Sequence, residues 1–369
     1  MLGTLVTGRC SVAGAAISAT KVALTIAVRY GATRGQFEAP TGSSVVMEGE
    51  DVPLLTYQAY QSTLLPALAK TYALHAAQKD LVDRLVQAFA DDDPRARREV
   101  ESLAAGLKAV ATWHASDTIQ ACREACGGAG YLSRNRLPDL RADTDVFTTF
   151  EGANAVLLQL VAKGLLTGYR KEFSDLDLLG TVRFGADMVL DRLVERLRGA
   201  SLVSSLRRAM PASEETPDHE VGLRNRAWQI QMFTHREEHL LETAAARIKG
   251  GLDDHGDAFR AFNRVQNHVL AAARAHVDAL VLQELTIFVD TCDDEAARQR
   301  LELLSDLYAL SIIHEDRAWF MEHGRLSAEA SKAVTREVED LLREVAPHAV
   351  ELVDAFGVPE EMLAPIARR

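Results

Sequence analysis

Residues 2–31 form thirty consecutive positions rich in Ala, Val, Ile and Leu, with none of the two-residue alternation a strand would need. A helix of that length and apolarity has to bury most of its surface against other helices. The same pattern returns over 54–89, where Pro66 is expected to kink the helix. Asp91-Asp92-Asp93 before Pro94 reads as a helix start: acids at the positive end, a capping Asp and Pro at the first helical position. This third helix is expected to end at Gly127, with the Gly127–Gly128 pair supplying a left-handed cap. Further helices are predicted over 153–172, 223–249, 257–290, 294–322 and 327–356. Residues 38–52, with Pro40, Gly42, Ser43, Ser44 and Gly49, read as a loop, and 205–222 as a polar interruption. The expected fold class is all-α, helices packed in bundles.

Composition narrows the function classes. A chain of 369 residues suggests two or three domains. Its net charge of −12 argues against a nucleic-acid partner, although Arg134, Arg136 and Arg141 cluster locally. The four cysteines offer no disulfide framework; Cys122 and Cys126 read as small buried hydrophobes, since they lack the spacing of a metal pair. Lys21 interrupts the first apolar run, so a buried helix is expected there in place of a signal peptide, and no membrane span is expected anywhere. The last four residues, Ile366 to Arg369, are not a Ser-Lys-Leu type of address, and a cytoplasmic protein is expected.

The stretch 122–159 carries the chemistry. It leads from the glycines Gly127, Gly128 and Gly130 through an expected loop of about twenty residues, a length usually tied to function. The loop delivers Glu151 directly before a new apolar helix. Val146, Phe147, Thr148, Thr149 and Phe150 surround that acid with uncharged side chains, a setting that makes a carboxylate more basic and suits a general base. The plainer alternative is an acid flanking a helix N-terminus.

These residues resemble the acyl-CoA oxidases, flavoenzymes of the acyl-CoA dehydrogenase superfamily. The likeness rests on the GGxGY turn at Gly127–Tyr131, the run from Arg136-Leu137-Pro138 through Leu140-Arg141 to Phe150-Glu151-Gly152, Leu2–Arg9, and Tyr30–Phe37. It continues at Leu307–Leu310 and Trp319–Gly324. The resemblance implies an FAD cofactor, an acyl-CoA substrate and a homodimer. It implies that Glu151 removes the proton α to the CoA thioester while a β-hydride passes to the flavin, with oxygen as acceptor. Arg34 would contact the flavin pyrophosphate across a subunit interface, with Phe37 and Gln36 beside it. Gly127 and Gly128 would allow close backbone approach to the cofactor, and Gly152 and Arg141 would meet the substrate. No metal is implied. Glu124 stands where dehydrogenases carry a flavin-contacting Gln, and Gly152-Ala153-Asn154 replaces their Gly-Thr-x-Gln, which points to the oxidase branch. The implied domains are a helical bundle with the Glu loop at 1–175 and a C-terminal helical domain at 176–369.

Family members precede this region with a helical domain and a β-domain that walls the flavin. The sequence therefore also admits a dehydrogenase using another acceptor, or a non-catalytic helical subunit or one that works with a separate polypeptide carrying the flavin domain. His235-Arg236-Glu237-Glu238-His239 matches a zinc-peptidase pattern, but Trp228, Ile230, Phe233, Leu240 and Leu241 around it read as the packing stripe of an amphipathic helix.

Overall fold

In the computed structural model the described residues are 2–91, 94–173, 222–255 and 257–368. Long helices dominate: α1 (Leu2–Thr33), α2 (Gln58–Ala90), α3 (Pro94–Ala125), α6 (Asn154–Phe173), α7 (Arg226–His255), α8 (Ala258–Asp290), α9 (Glu295–Glu315) and α11 (Ala328–Val345). Short helices α4 (Gly127–Gly130), α5 (Leu137–Asp145), α10 (Arg317–Glu322) and α12 (Ala349–Asp354) fill the connections. The all-α expectation holds, and Pro66 sits inside a helix that continues on both sides of it. Pro94 opens α3 as expected, whereas Asp92, Asp93 and residues 205–221 of the polar interruption lie outside the described residues, as does the 175/176 boundary.

Two expectations need correction. The 38–52 loop is flanked by strands: β1 (Gly35–Glu38) pairs antiparallel with β2 (Asp51–Pro53), with an irregularity between Gly35 and Glu38. The chain between Gly130 and Glu151 is a series of helical turns more than a loop. Asp139 in the first turn of α5, Pro138 at its start and the buried Leu137 favour helix there.

α1 packs along α3 and α2 and against the C-terminal segment. Ala13, Ala16, Ala23 and Ala27 are fully buried, which lets neighbouring backbones come close. At its N-terminal end Arg9 reaches Glu101 of α3 at 3.7 Å. At its C-terminal end Gly31 lies under the ring of Tyr60, where an added Cβ would sit 2.4 Å from the ring, and Cys122 and Cys126 of α3 lie near that tyrosine. α1 and α3 therefore run side by side in the same direction, and α5 carries the chain back along α3. The segment Leu5–Thr33 is long and apolar enough to cross a membrane, but 56% of its apolar window is buried inside the molecule.

One hydrophobic core draws on both sides of the expected domain boundary, from Leu24, Leu64, Leu68 and Leu107 to Leu285, Leu304, Leu310, Val334 and Val353. Arg29 fastens the C-terminal segment to α1 through Asp354 at 2.7 Å and Glu360 at 2.5 Å. On α7, His239 packs edge-on to Trp319, its ring 4.3 Å from that of His323, so the expected packing stripe includes the histidine itself. Burial pushes the Glu238 carboxyl up to about 8, with Glu237 and Glu242 adding to it, and leaves its Oε1 without a hydrogen-bond partner. A carboxyl with a raised folded-state pKa stabilises the fold only while protonated, so its contribution falls as pH rises from the ordinary carboxylate range through about 8. Glu238→Gln is therefore expected to raise the unfolding midpoint in urea at pH 9 while changing it little at pH 5. Equal effects at the two pH values would contradict this.

Candidate active site

Glu151 sits in the left-handed region at φ 58°, followed by Gly152 at φ 111°. Two consecutive residues of this kind form a strained turn, the non-glycine one costing on the order of 1–3 kcal/mol, that persists only when its surroundings over-determine it. Here they do. The Arg9 Nε donates to the carbonyl oxygen of Glu151 at 3.3 Å. The Lys108 ammonium donates to the carbonyl oxygen of Gly152 at 2.8 Å and to Asn154 Oδ1 at 3.0 Å. Asn154, the first residue of α6, is itself buried and donates from Nδ2 to Thr112 Oγ1 at 2.9 Å and to the Ala109 carbonyl at 3.2 Å.

The Glu151 carboxylate lies against Gly8 of α1: a Cβ there would stand 2.5 Å from its Cδ and Oε1. Its Oε2 is buried and has no hydrogen-bond partner. The result is a half-buried carboxylate with one oxygen that no donor of this chain satisfies. Burial pushes the Lys108 ammonium down to about 8, with nearby Arg9 adding to the fall and Glu151 opposing it. Of the apolar residues expected to enclose Glu151, Phe150 and Val146 instead face outward, 58% and 40% exposed, while Phe147 is half-buried against the core. Within this chain the carboxylate is covered by α1, a contact that the sequence around residue 151 does not announce.

The other expected site residues stand elsewhere. Arg34, Gln36 and Phe37 are exposed just beyond the C-terminal end of α1, with Phe37 at φ 66° and edge-on to Tyr57. Gly127 and Gly128 lie near the same end, because Cys126 before them neighbours Tyr60. Neither glycine has a neighbour within 4 Å of where a Cβ would be, and only Gly127 has a positive φ, so the left-handed cap is one residue and not a pair. From Gly8, under Glu151, to Arg34 is about 26 residues, roughly 39 Å at 1.5 Å per residue. Arg141 occupies neither end. It borders a cleft of about 300 Å³ between α3 and α5, lined also by Asp117, Glu124 and Asp145.

The family model for the acyl-CoA oxidase C-alpha1 domain matches residues 2–166, and the acyl-CoA oxidase model matches residues 225–368. The chain belongs to the acyl-CoA oxidase family. It is 36% identical over 367 residues to the peroxisomal acyl-coenzyme A oxidase 2 of Arabidopsis thaliana, covering 99% of this chain and 50% of that protein. Among solved structures, acyl-CoA oxidase 1 of Arabidopsis thaliana superposes with a TM-score of 0.81 at 25% identity, over 99% of this chain and 52% of its own. The Caenorhabditis elegans acyl-CoA oxidase-2, bound with FAD, ascaroside-CoA and ATP, shares the fold with a TM-score of 0.80 at 22% identity, covering 99% and 51%. The chain thus spans about half the length of the relatives it matches, which correspond to it through their C-terminal halves.

Gly8→Ala tests the contact between α1 and the carboxylate. The clash falls on the tip of a flexible side chain, so the fold should lose no more than about 1 kcal/mol. The carboxylate should turn outward, and its modification by a water-soluble carbodiimide, followed by mass spectrometry, should speed up severalfold. An unchanged rate would show that Gly8 does not set its position.

Proposed function

We propose that this chain is the catalytic helical half of an FAD-dependent acyl-CoA oxidase of fatty-acid β-oxidation, with Glu151 as the base. The observation that carries the reading is the buried, partnerless Oε2 of Glu151, held in a strained turn by cations on its two successive carbonyls. Glu151 would take the α-proton of the acyl-CoA thioester on that oxygen, with Gly152 beside it, whose missing side chain lets the turn close against Leu157. Bound flavin would supply the acceptor for the β-hydride, and oxygen would accept the electrons to give hydrogen peroxide. Both matching family models describe oxidases, which favours oxygen over another acceptor.

The opposite end of the bundle fits a flavin pyrophosphate: an exposed guanidinium at Arg34, exposed Gln36 and Phe37, and the open backbone of Gly127 and Gly128. The roughly 39 Å between Arg34 and Glu151 exceeds what one dinucleotide can bridge on a single chain. A homodimer resolves this, with each chain offering its Arg34 end to the partner's cofactor and Glu151 to its own. The substrate role expected for Arg141 would require CoA to enter an acid-lined cleft. Gly152 is the substrate contact we retain. We read the compartment as that of β-oxidation, peroxisomal in the plant relative, in place of the cytoplasm expected from the sequence.

In the flavin-loaded enzyme Glu151→Gln should abolish anaerobic bleaching by acyl-CoA while leaving the fold and flavin content intact, because an amide cannot take the proton. Bleaching at near the wild-type rate would remove Glu151 from the role.

A further inference from the structure

Lys108 is fully buried, yet among the described residues its ammonium donates to neutral oxygens only, the Gly152 carbonyl and the Asn154 side chain. An apolar residue would fill that space between α3 and the turn without the desolvation penalty of an ammonium. A cost of that kind is retained where the charge performs a task. The task is visible in what the ammonium grips. Glu151 and Gly152 both have positive φ, and the peptide that follows is fixed only if the Gly152 carbonyl is fixed. Asn154, gripped by the same ammonium, is in turn anchored to Thr112 and Ala109, one turn of α3 or less from Lys108. The charged groups facing this ammonium are Arg9 on α1 and Glu151 on the turn, with Glu101 of α3 occupied by Arg9.

We propose that Lys108 is the positioning residue of the site, clamping the Gly152 carbonyl and Asn154 so that the Glu151 carboxylate is held in place against Gly8. The proposal rests on the reading of Glu151 as the base, and it deepens that reading by naming what aims the base. Lys108 itself touches neither substrate nor cofactor in this scheme.

The experiment uses the 369-residue chain without flavin, so its failure is separate from a failure of Glu151 as base. Hydrogen exchange followed by mass spectrometry would compare the peptide covering 149–157 in the wild type and in Lys108→Met. At least tenfold faster exchange is expected there, with peptides of α1 and α8 unchanged. In parallel, lysines labelled at Cε would be titrated by NMR, with the Lys108 signal assigned by its loss in Lys108→Met. Its transition is expected near pH 8 in the wild type and should move to lower pH in Glu151→Gln, because the facing anion that favours the ammonium is gone. That shift reports that the ammonium and the carboxylate face each other, and the exchange at 149–157 reports the clamp. Should Lys108→Met fail to fold, Asn154→Ala applies the exchange test to the same clamp, and the signal is assigned by Lys108→Arg. Unchanged exchange across 149–157, or a Lys108 transition indifferent to Glu151→Gln, overturns the proposal.

Discussion

The parallel packing of α1 against α3 sets the rest of the structure. The glycines near the two ends of α1 mark its close contacts with other elements: a Cβ at Gly8 or Gly31 would fall within 2.5 Å of a side chain, the Glu151 carboxylate at one end and the Tyr60 ring of α2 at the other. The alanines between them, Ala13, Ala16, Ala23 and Ala27, are fully buried and let neighbouring helices come close. Because α1 is a single uninterrupted helix, the groups at its ends are held a fixed distance apart. One end becomes a carboxylate site and the other an exposed cationic and aromatic edge. A larger residue at Gly8 would push the Glu151 carboxylate away from α1.

The carboxylate end is an electrostatic compromise. Arg9 and Lys108 are both buried, and both point at carbonyl oxygens of the turn, while Glu101 and Glu151 balance their charge. Burying two cations is costly by itself. The backbone strain of Glu151 is a further cost. These are tolerable together because each cation answers a carbonyl that the strained turn leaves without a helical partner. The carboxylate makes no hydrogen bond at its buried Oε2, and it lies in place between the turn and Gly8 of α1.

Much of this was legible in the sequence, and the reasons differ by level. The helices could be read because their apolar faces repeat over thirty residues at a stretch, and the observed ends mostly differ from the expected ones by a few residues. Glu151 could be singled out as a candidate because its motif is local. The segment between Gly130 and Glu151 reads as a loop in the sequence because α5 is short and its helical signal, Pro138 and Asp139, is carried by two residues. That Gly8, Arg9 and Lys108 meet the Glu151 turn is not legible in the sequence, for a different reason. They stand more than forty positions from Glu151 in sequence, on helices whose patterns look ordinary, and a lysine inside an amphipathic helix normally reads as solvent-facing. A Lys within the apolar run Leu107–Thr112 was the one available hint. The distance between Arg34 and Glu151 was equally invisible until the direction of α1 relative to the turn was known.

The central claim is that the two ends of α1 serve two different active sites. A mixed dimer of the flavin-loaded oxidase tests it most directly, with one subunit carrying Glu151→Gln and the other Arg34→Ala. If each site combines the Glu151 of one chain with the Arg34 of its partner, one site in the mixed dimer is intact, because the Arg34→Ala subunit keeps its own Glu151 and receives Arg34 from the other. The mixed dimer is then expected to recover about half the wild-type turnover while both parent homodimers stay impaired. A mixed dimer no more active than the Arg34→Ala homodimer would contradict the account.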